Sequence, residues 1–243
     1  MSFIISLHFL WIVLAAANLA IQVAYFYSNS NRTLFMAKKA TTPLLLFSGL
    51  LIVVFHTRSF PVIPCAILAA MGLGELGIEG SDIVEAGEKA DSRTPLTVTL
   101  AGVLFLLVNV FIGLALMMRN CRAQVILSAL AVAACIIALA VFLLLRFSRP
   151  DPETRFQILA YSAGLVVLLS GVLADAPGGL SALGKAAAIL TLSDSLVLIR
   201  MGAGIDKEGP SGFRALLGFL VVILLLYYVF MGMLIHMGSP FPW

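Results

Sequence analysis

The sequence predicts an all-α fold, a polytopic transmembrane helix bundle of about eight spans. Three observations carry that reading. Hydrophobic residues make up 61% of the 243, charged residues 11%, and the mean hydropathy is +1.09, a composition that soluble domains do not have. The apolar residues gather in runs of roughly 20, the length a helix needs to cross a hydrocarbon core of about 30 Å. The runs are continuous rather than alternating, which excludes a β-barrel, and backbone in lipid must bond internally, which leaves helices.

The first run, 4–26, follows Met1-Ser2 with no Lys or Arg before it. It is too long for a typical signal-peptide core and reads as the first anchor. The second, 40–56, is short and follows Lys38 and Lys39. The third, 60–80, begins at Pro61 and Pro64 and carries Gly72, Gly74, Gly77 and Gly80, the small residues that let membrane helices pack closely. A re-entrant turn at the two prolines would merge the second and third runs and give seven spans. The remaining runs are 95–118, 122–146, 156–174, 181–201 and 213–237. With no long linker, low-complexity tract or internal repeat, a single transmembrane domain over 1–243 is the expected organisation.

Eight spans put loops 27–39, 81–94, 146–155 and 200–214 on one face. That face carries eleven of the fifteen Lys and Arg residues, and the other holds only Arg58, Arg119, Arg122 and Lys185. The positive-inside rule assigns the basic face to the cytoplasm and both termini to the non-cytoplasmic side. Cys65, Cys121 and Cys135 lie in or beside spans without metal spacing and read as packing residues.

Two acids lie inside apolar runs, Glu75 and Asp194. An ionisable group within a membrane is costly and marks a functional site by default. Glu75 is about five residues, roughly 8 Å, from the cytoplasmic end of its span, and Asp194 about seven residues, roughly 10 Å, from the end of its own. Tyr161 falls in the same slab, Ser193 and Ser195 flank Asp194, and Lys38 and Lys39 enter from the same side. Tyr25 and Tyr27 read as an aromatic interface belt. His8, His56 and His236 fall toward the opposite side, so no His–carboxylate metal site is expected. Neither a nucleophile elbow nor a phosphate-binding Gly-Lys-Ser/Thr loop is present. The net charge of +3, without a basic domain, makes nucleic acid an improbable partner. No cofactor is expected.

The stretch Leu-Gly-Lys-Ala-Ala-Ala-Ile-Leu-Thr-Leu-Ser-Asp-Ser-Leu, 183–196, resembles the signature of the YhhN family of membrane proteins, which includes the lysoplasmalogenases. Gly74-Glu75 falls where that family has Gly-Asp, Phe105 and Asn109 resemble a Phe-x-x-x-His stretch, and Tyr161 matches a frequent tyrosine. Tyr227-Tyr228 through Met231 is similar to a Tyr-Tyr-x-x-Gln ending, and Thr42-Pro43 with Lys39 one turn earlier stands where the family has Lys-Pro. Asn109 thus replaces a histidine and Met231 a glutamine. Eight spans is also the family's architecture.

The resemblance implies hydrolysis of the vinyl-ether bond of a lysoplasmalogen, a lipid substrate, to a fatty aldehyde and a glycerophospho-head group. Such cleavage needs a proton delivered to carbon and a negative group to stabilise the resulting cation or activate water. Glu75 and Asp194 are the expected catalytic pair, a coupled couple in which the acid is not assigned. Lys39 is the candidate for the phosphate; Tyr161, Ser193 and Ser195 for orienting the pair or a water; Asn109 and Tyr228 for supporting positions. A proton-coupled or small-solute transporter, and a non-catalytic lipid-binding relative, are the competing functions. The protein is expected in a bacterial inner membrane or an intracellular eukaryotic membrane.

Overall fold

The computed structural model describes residues 2–27, 32–56, 94–120, 122–150, 152–203 and 209–236. All regular structure among them is α-helical, in seven helices: α1 (Ser2–Tyr27), α2 (Arg32–His56), α3 (Thr94–Asn120), α4 (Ala123–Ser148), α5 (Pro152–Asp175), α6 (Ala182–Ala203) and α7 (Gly209–His236). Each is long and apolar enough to cross a membrane, so the chain is an integral, multi-pass membrane protein. The expected span 60–80, with Glu75, lies outside the described residues.

Helix limits follow the apolar runs to within a few residues, with one exception. The second helix starts at Arg32, eight residues before the expected 40. Its apolar span runs only from Met36 to Val54. Arg32, Lys38 and Lys39 are good helix formers, so the helix continues past the lipid-compatible stretch. Pro43 sits inside this helix and removes one backbone donor. Nearby, the Thr41 and Thr42 hydroxyls donate to the carbonyls of Ala37 and Lys38 at 3.0 to 3.2 Å.

Two compact units make up the chain: Met1–Phe105 with Met231–Trp243, and Leu106–Phe230. In the first, α1 packs along α2. Trp11 is its largest wedge, buried, with its indole ring 3.4 Å from where a Cβ on Gly232 would stand and its Nε1 3.3 Å from one on Gly49. Higher on the same seam Asn18 donates to the hydroxyls of Thr41 and Thr42 at 2.9 and 3.0 Å, and Gln22 donates to Asn18 at 2.7 Å. Side-chain hydrogen bonds of this kind hold helices together where lipid supplies no hydrophobic drive.

In the second unit α5 packs between α4 and α6, over a core that includes Met117, Ala129 and Ala174. The α3–α5 crossing is backbone against backbone. A Cβ on Gly171 would stand 2.6 Å from the carbonyl oxygen and 2.7 Å from the Cα of Gly113. Only two glycines allow that approach.

The turn from α5 to α6 is held by Asp175. Its Oδ2 accepts from the Ser181 backbone N–H at 2.7 Å and from the Ser181 hydroxyl at 2.6 Å. The Ser181 Oγ in turn accepts from the Gly184 N–H at 3.0 Å, an N-cap on α6. Gly178 and Gly179 supply the positive φ values, 113° and 94°, that the turn requires. Arg119 also reaches Asp175, at 3.6 Å, but its side chain is 63% exposed, and such a pair contributes little. Asp175→Ala is therefore expected to cost about 1–2 kcal/mol, the range for a lost cap, and Arg119→Ala below about 0.5 kcal/mol. Thermal unfolding of the two purified variants checks the order. Equal losses would show that the ion pair, not the cap, holds the turn.

Candidate intramembrane carboxylate site

Asp194 sits in the middle of α6, where the run from Ala186 to Leu198 has the length and apolarity to lie inside a span. Its carboxyl is turned into the second unit, and the residue is 6% exposed. A buried carboxyl needs hydrogen-bond donors, and two other helices provide them. From α3, the Asn109 amide donates to Oδ2 at 2.5 Å. From α5, the Tyr161 hydroxyl donates to the same carboxyl. Asn109 is itself buried, at 2% exposure.

Three residues that lie far apart in sequence, Asn109, Tyr161 and Asp194, thus form one polar cluster in an apolar surround. Gly164, one turn after Tyr161 on α5, gives it room. A Cβ there would collide with a Leu106 methyl group and stand 3.7 Å from the Asn109 Cβ. Sequence reasoning did not single out Gly164. Its signal was the three-residue spacing from Tyr161, which places both on one helix face.

Other expected site residues go elsewhere. The Ser193 hydroxyl donates to the Ile223 carbonyl of α7 at 3.3 Å, and that of Ser195 donates to the Thr191 carbonyl of its own helix at 2.7 Å. Both hydroxyls are spent on backbone rather than on Asp194. Neighbours in a helix point about 100° apart, so flanking a site residue in sequence does not bring a side chain to it. Ser195→Ala is accordingly expected to change stability by no more than about 0.5 kcal/mol, read as an unfolding midpoint close to that of the parent protein. Tyr228 is buried, with its ring 5.9 Å from that of Tyr227 and tilted 57° to it. Lys39 lies on α2, and its side chain is outside the described residues, as is Glu75. The amides Asn18 and Gln22 were also passed over, although their four-residue spacing within an apolar run is a readable sign of a polar helix seam.

The cluster's chemistry is that of a desolvated carboxylate with two fixed donors. Such a group can stabilise a developing cation, hold and orient a water, or carry a proton. Comparison with known protein families, with curated proteins and with solved structures finds no match to this chain.

Proposed function

We propose that the protein is a membrane-embedded hydrolase of the lysoplasmalogenase type, a diverged relative of the YhhN family, with eight spans and both termini on the non-cytoplasmic side. The observation that carries the reading is the Asp194 carboxyl, buried within a span and met by Asn109 and Tyr161.

In the reaction, a proton is added to the β carbon of the vinyl ether and leaves an oxocarbenium-like centre beside the ether oxygen. Water adds to that centre and loses a proton. The hemiacetal then collapses to a fatty aldehyde and the free hydroxyl of the glycerophospho-head group. One water is consumed and nothing is oxidised or reduced. Asp194 suits the anionic role. With two donors fixing its orientation, the carboxylate faces the cationic centre and takes up the proton of the attacking water. The first proton must come from a second acid, for which Glu75 is the candidate the sequence offers.

Purified protein in detergent, given a lysoplasmalogen with a choline or ethanolamine head group, is expected to release fatty aldehyde. Folded protein that releases none from either lipid would end the hydrolase reading. A buried intramembrane acid also serves proton-coupled carriers, so uptake driven by a proton gradient in vesicles would then be the measurement to make.

A further inference from the structure

The cover over Asp194 is uneven. Along its own helix the carboxyl is closed off by Leu190 and Leu198, one turn to either side and 2% and 4% exposed. On α5, Ile158 and Leu165 are fully buried to either side of Tyr161. Tyr161 itself is only half-buried, and so is Leu106 of α3, which meets Gly164 one turn along the same face of α5. Their neighbours Leu107 and Leu159 are exposed. The thinnest cover therefore lies in the α3–α5 seam, and apart from one phenol it is apolar.

The two helices run parallel, since Gly113 meets Val167, Leu168 and Gly171 while Leu106 and Asn109 meet Gly164. At Gly113 and Gly171 the atoms in contact are main chain. At Gly164 they are side-chain atoms, and the nearest is a terminal methyl of Leu106, whose Cγ stands 3.6 Å from where a Cβ would be. The notch that Gly164 leaves is thus filled by the end of a rotatable side chain, and a change of rotamer empties it. No charged residue other than Asp194 lies within 94–118, 156–174 or 186–199. A hydrocarbon chain arriving at Leu106 meets an apolar surface, whereas an ion arriving there meets no opposite charge before Asp194.

We propose that Leu106, seated over Gly164, is the movable cover of a lateral port through which the apolar chain of a single-chain lipid reaches Asp194 from the bilayer. Tyr161 is the fixed side of the port: its ring stands in the seam while its hydroxyl holds the carboxyl. The opening that Leu106 vacates is one side chain wide, which admits one hydrocarbon chain and not two. Leu106 acts by access, so it is a specificity-determining residue and not a catalytic one. The port rests on the reading that Asp194 is the working carboxyl, but not on which bond is broken there.

The test measures access, not turnover. Protein in dioleoylphosphatidylcholine vesicles at mildly acidic pH is treated with diisopropylcarbodiimide, which is apolar, or with its cationic ethyl-dimethylaminopropyl counterpart, which stays in water. A protonated carboxyl adds its O–H across one C=N bond of the reagent, and the adduct rearranges to a stable N-acylurea with nothing lost. The rate is read on the tryptic peptide 186–200, in which Asp194 is the only acidic side chain. The apolar reagent is expected to label at least about tenfold faster, because hydrocarbon excludes a cation by more than that. Leu106→Ala should raise its rate severalfold and Leu107→Ala should leave it unchanged. A 1-O-alkyl lysophosphatidylcholine, which has no vinyl ether to cleave, should slow it. A cationic reagent that labels as fast overturns the proposal, as does an absent rise in Leu106→Ala, an equal rise in Leu107→Ala, no protection by the ether lipid, or no adduct with either reagent. If Leu106→Ala does not fold, Leu106→Val must show the rise. Labelling in this pattern without aldehyde release would sink only the hydrolase reading, and release without the pattern only the port.

Discussion

Asp194→Asn is expected to lower fatty-aldehyde release from a lysoplasmalogen by about 10²–10⁴-fold, the range for losing a group that moves a proton in the transition state. The substitution is chosen for what it leaves intact. Asparagine has the same shape, and its amide oxygen still accepts from the Asn109 side chain, which approaches Asp194 to 2.5 Å. The change therefore removes the charge and the basic oxygen while the three-helix cluster keeps its packing. Asp194→Ala is less informative, because it would strand the buried Asn109 amide without its acceptor, at about 1–3 kcal/mol. Tyr161→Phe deletes only one of the two donors to the carboxyl. A hydrogen bond to a charged group contributes about 1.5–3 kcal/mol, so that variant should lose roughly ten- to a hundredfold. A folded Asp194→Asn protein with the parental rate would remove Asp194 from the chemistry altogether.

A large effect on stability is expected at Gly171. A side chain there would be built into the Gly113 backbone, at 2.6 and 2.7 Å from its oxygen and Cα. A flexible neighbour could turn aside, but main chain cannot move without separating α3 from α5. Gly171→Val should thus reach or exceed the upper end of the roughly 1–3 kcal/mol typical of overpacking, seen as a collapsed unfolding midpoint or loss of monodisperse protein. Gly102 provides the contrast, since a Cβ there would meet nothing within 4 Å. Gly102→Ala should be neutral or stabilising by up to about 1 kcal/mol through helix propensity. If both variants behave alike, the α3–α5 crossing is not set by the glycine pair.

Helix positions were legible because the bilayer imposes a length and a polarity that composition displays directly. The early start of α2 was not, since Arg32, Lys38 and Lys39 interrupt the apolar run there and a hydropathy criterion ends where the lipid does. Asp194 stood out by the same contrast of charge against an apolar run. Its partners were less accessible. Depth along a helix follows from counting residues, and it placed Tyr161 at the right level. Rotation about the axis does not follow from counting, and rotation decides that Asn109 and Tyr161 meet the carboxyl while Ser193 and Ser195 turn to backbone carbonyls. The Asp175–Ser181 cap was equally hidden, because it depends on how a six-residue turn folds back rather than on any periodic signal.

Trp11 has a practical corollary. The chain's only other tryptophan is Trp243, and both fall in the unit Met1–Phe105 with Met231–Trp243. Trp11 is buried and its indole N–H has no acceptor among the described residues, so its fluorescence should be shifted to the blue and should redden when α1 leaves α2. The unit that holds Asp194 contains no such fluorophore. Tryptophan emission therefore reports first on the unit that holds α1 and α2. A variant of the carboxylate cluster thus needs a second check, by a signal spread over all helices such as far-ultraviolet circular dichroism.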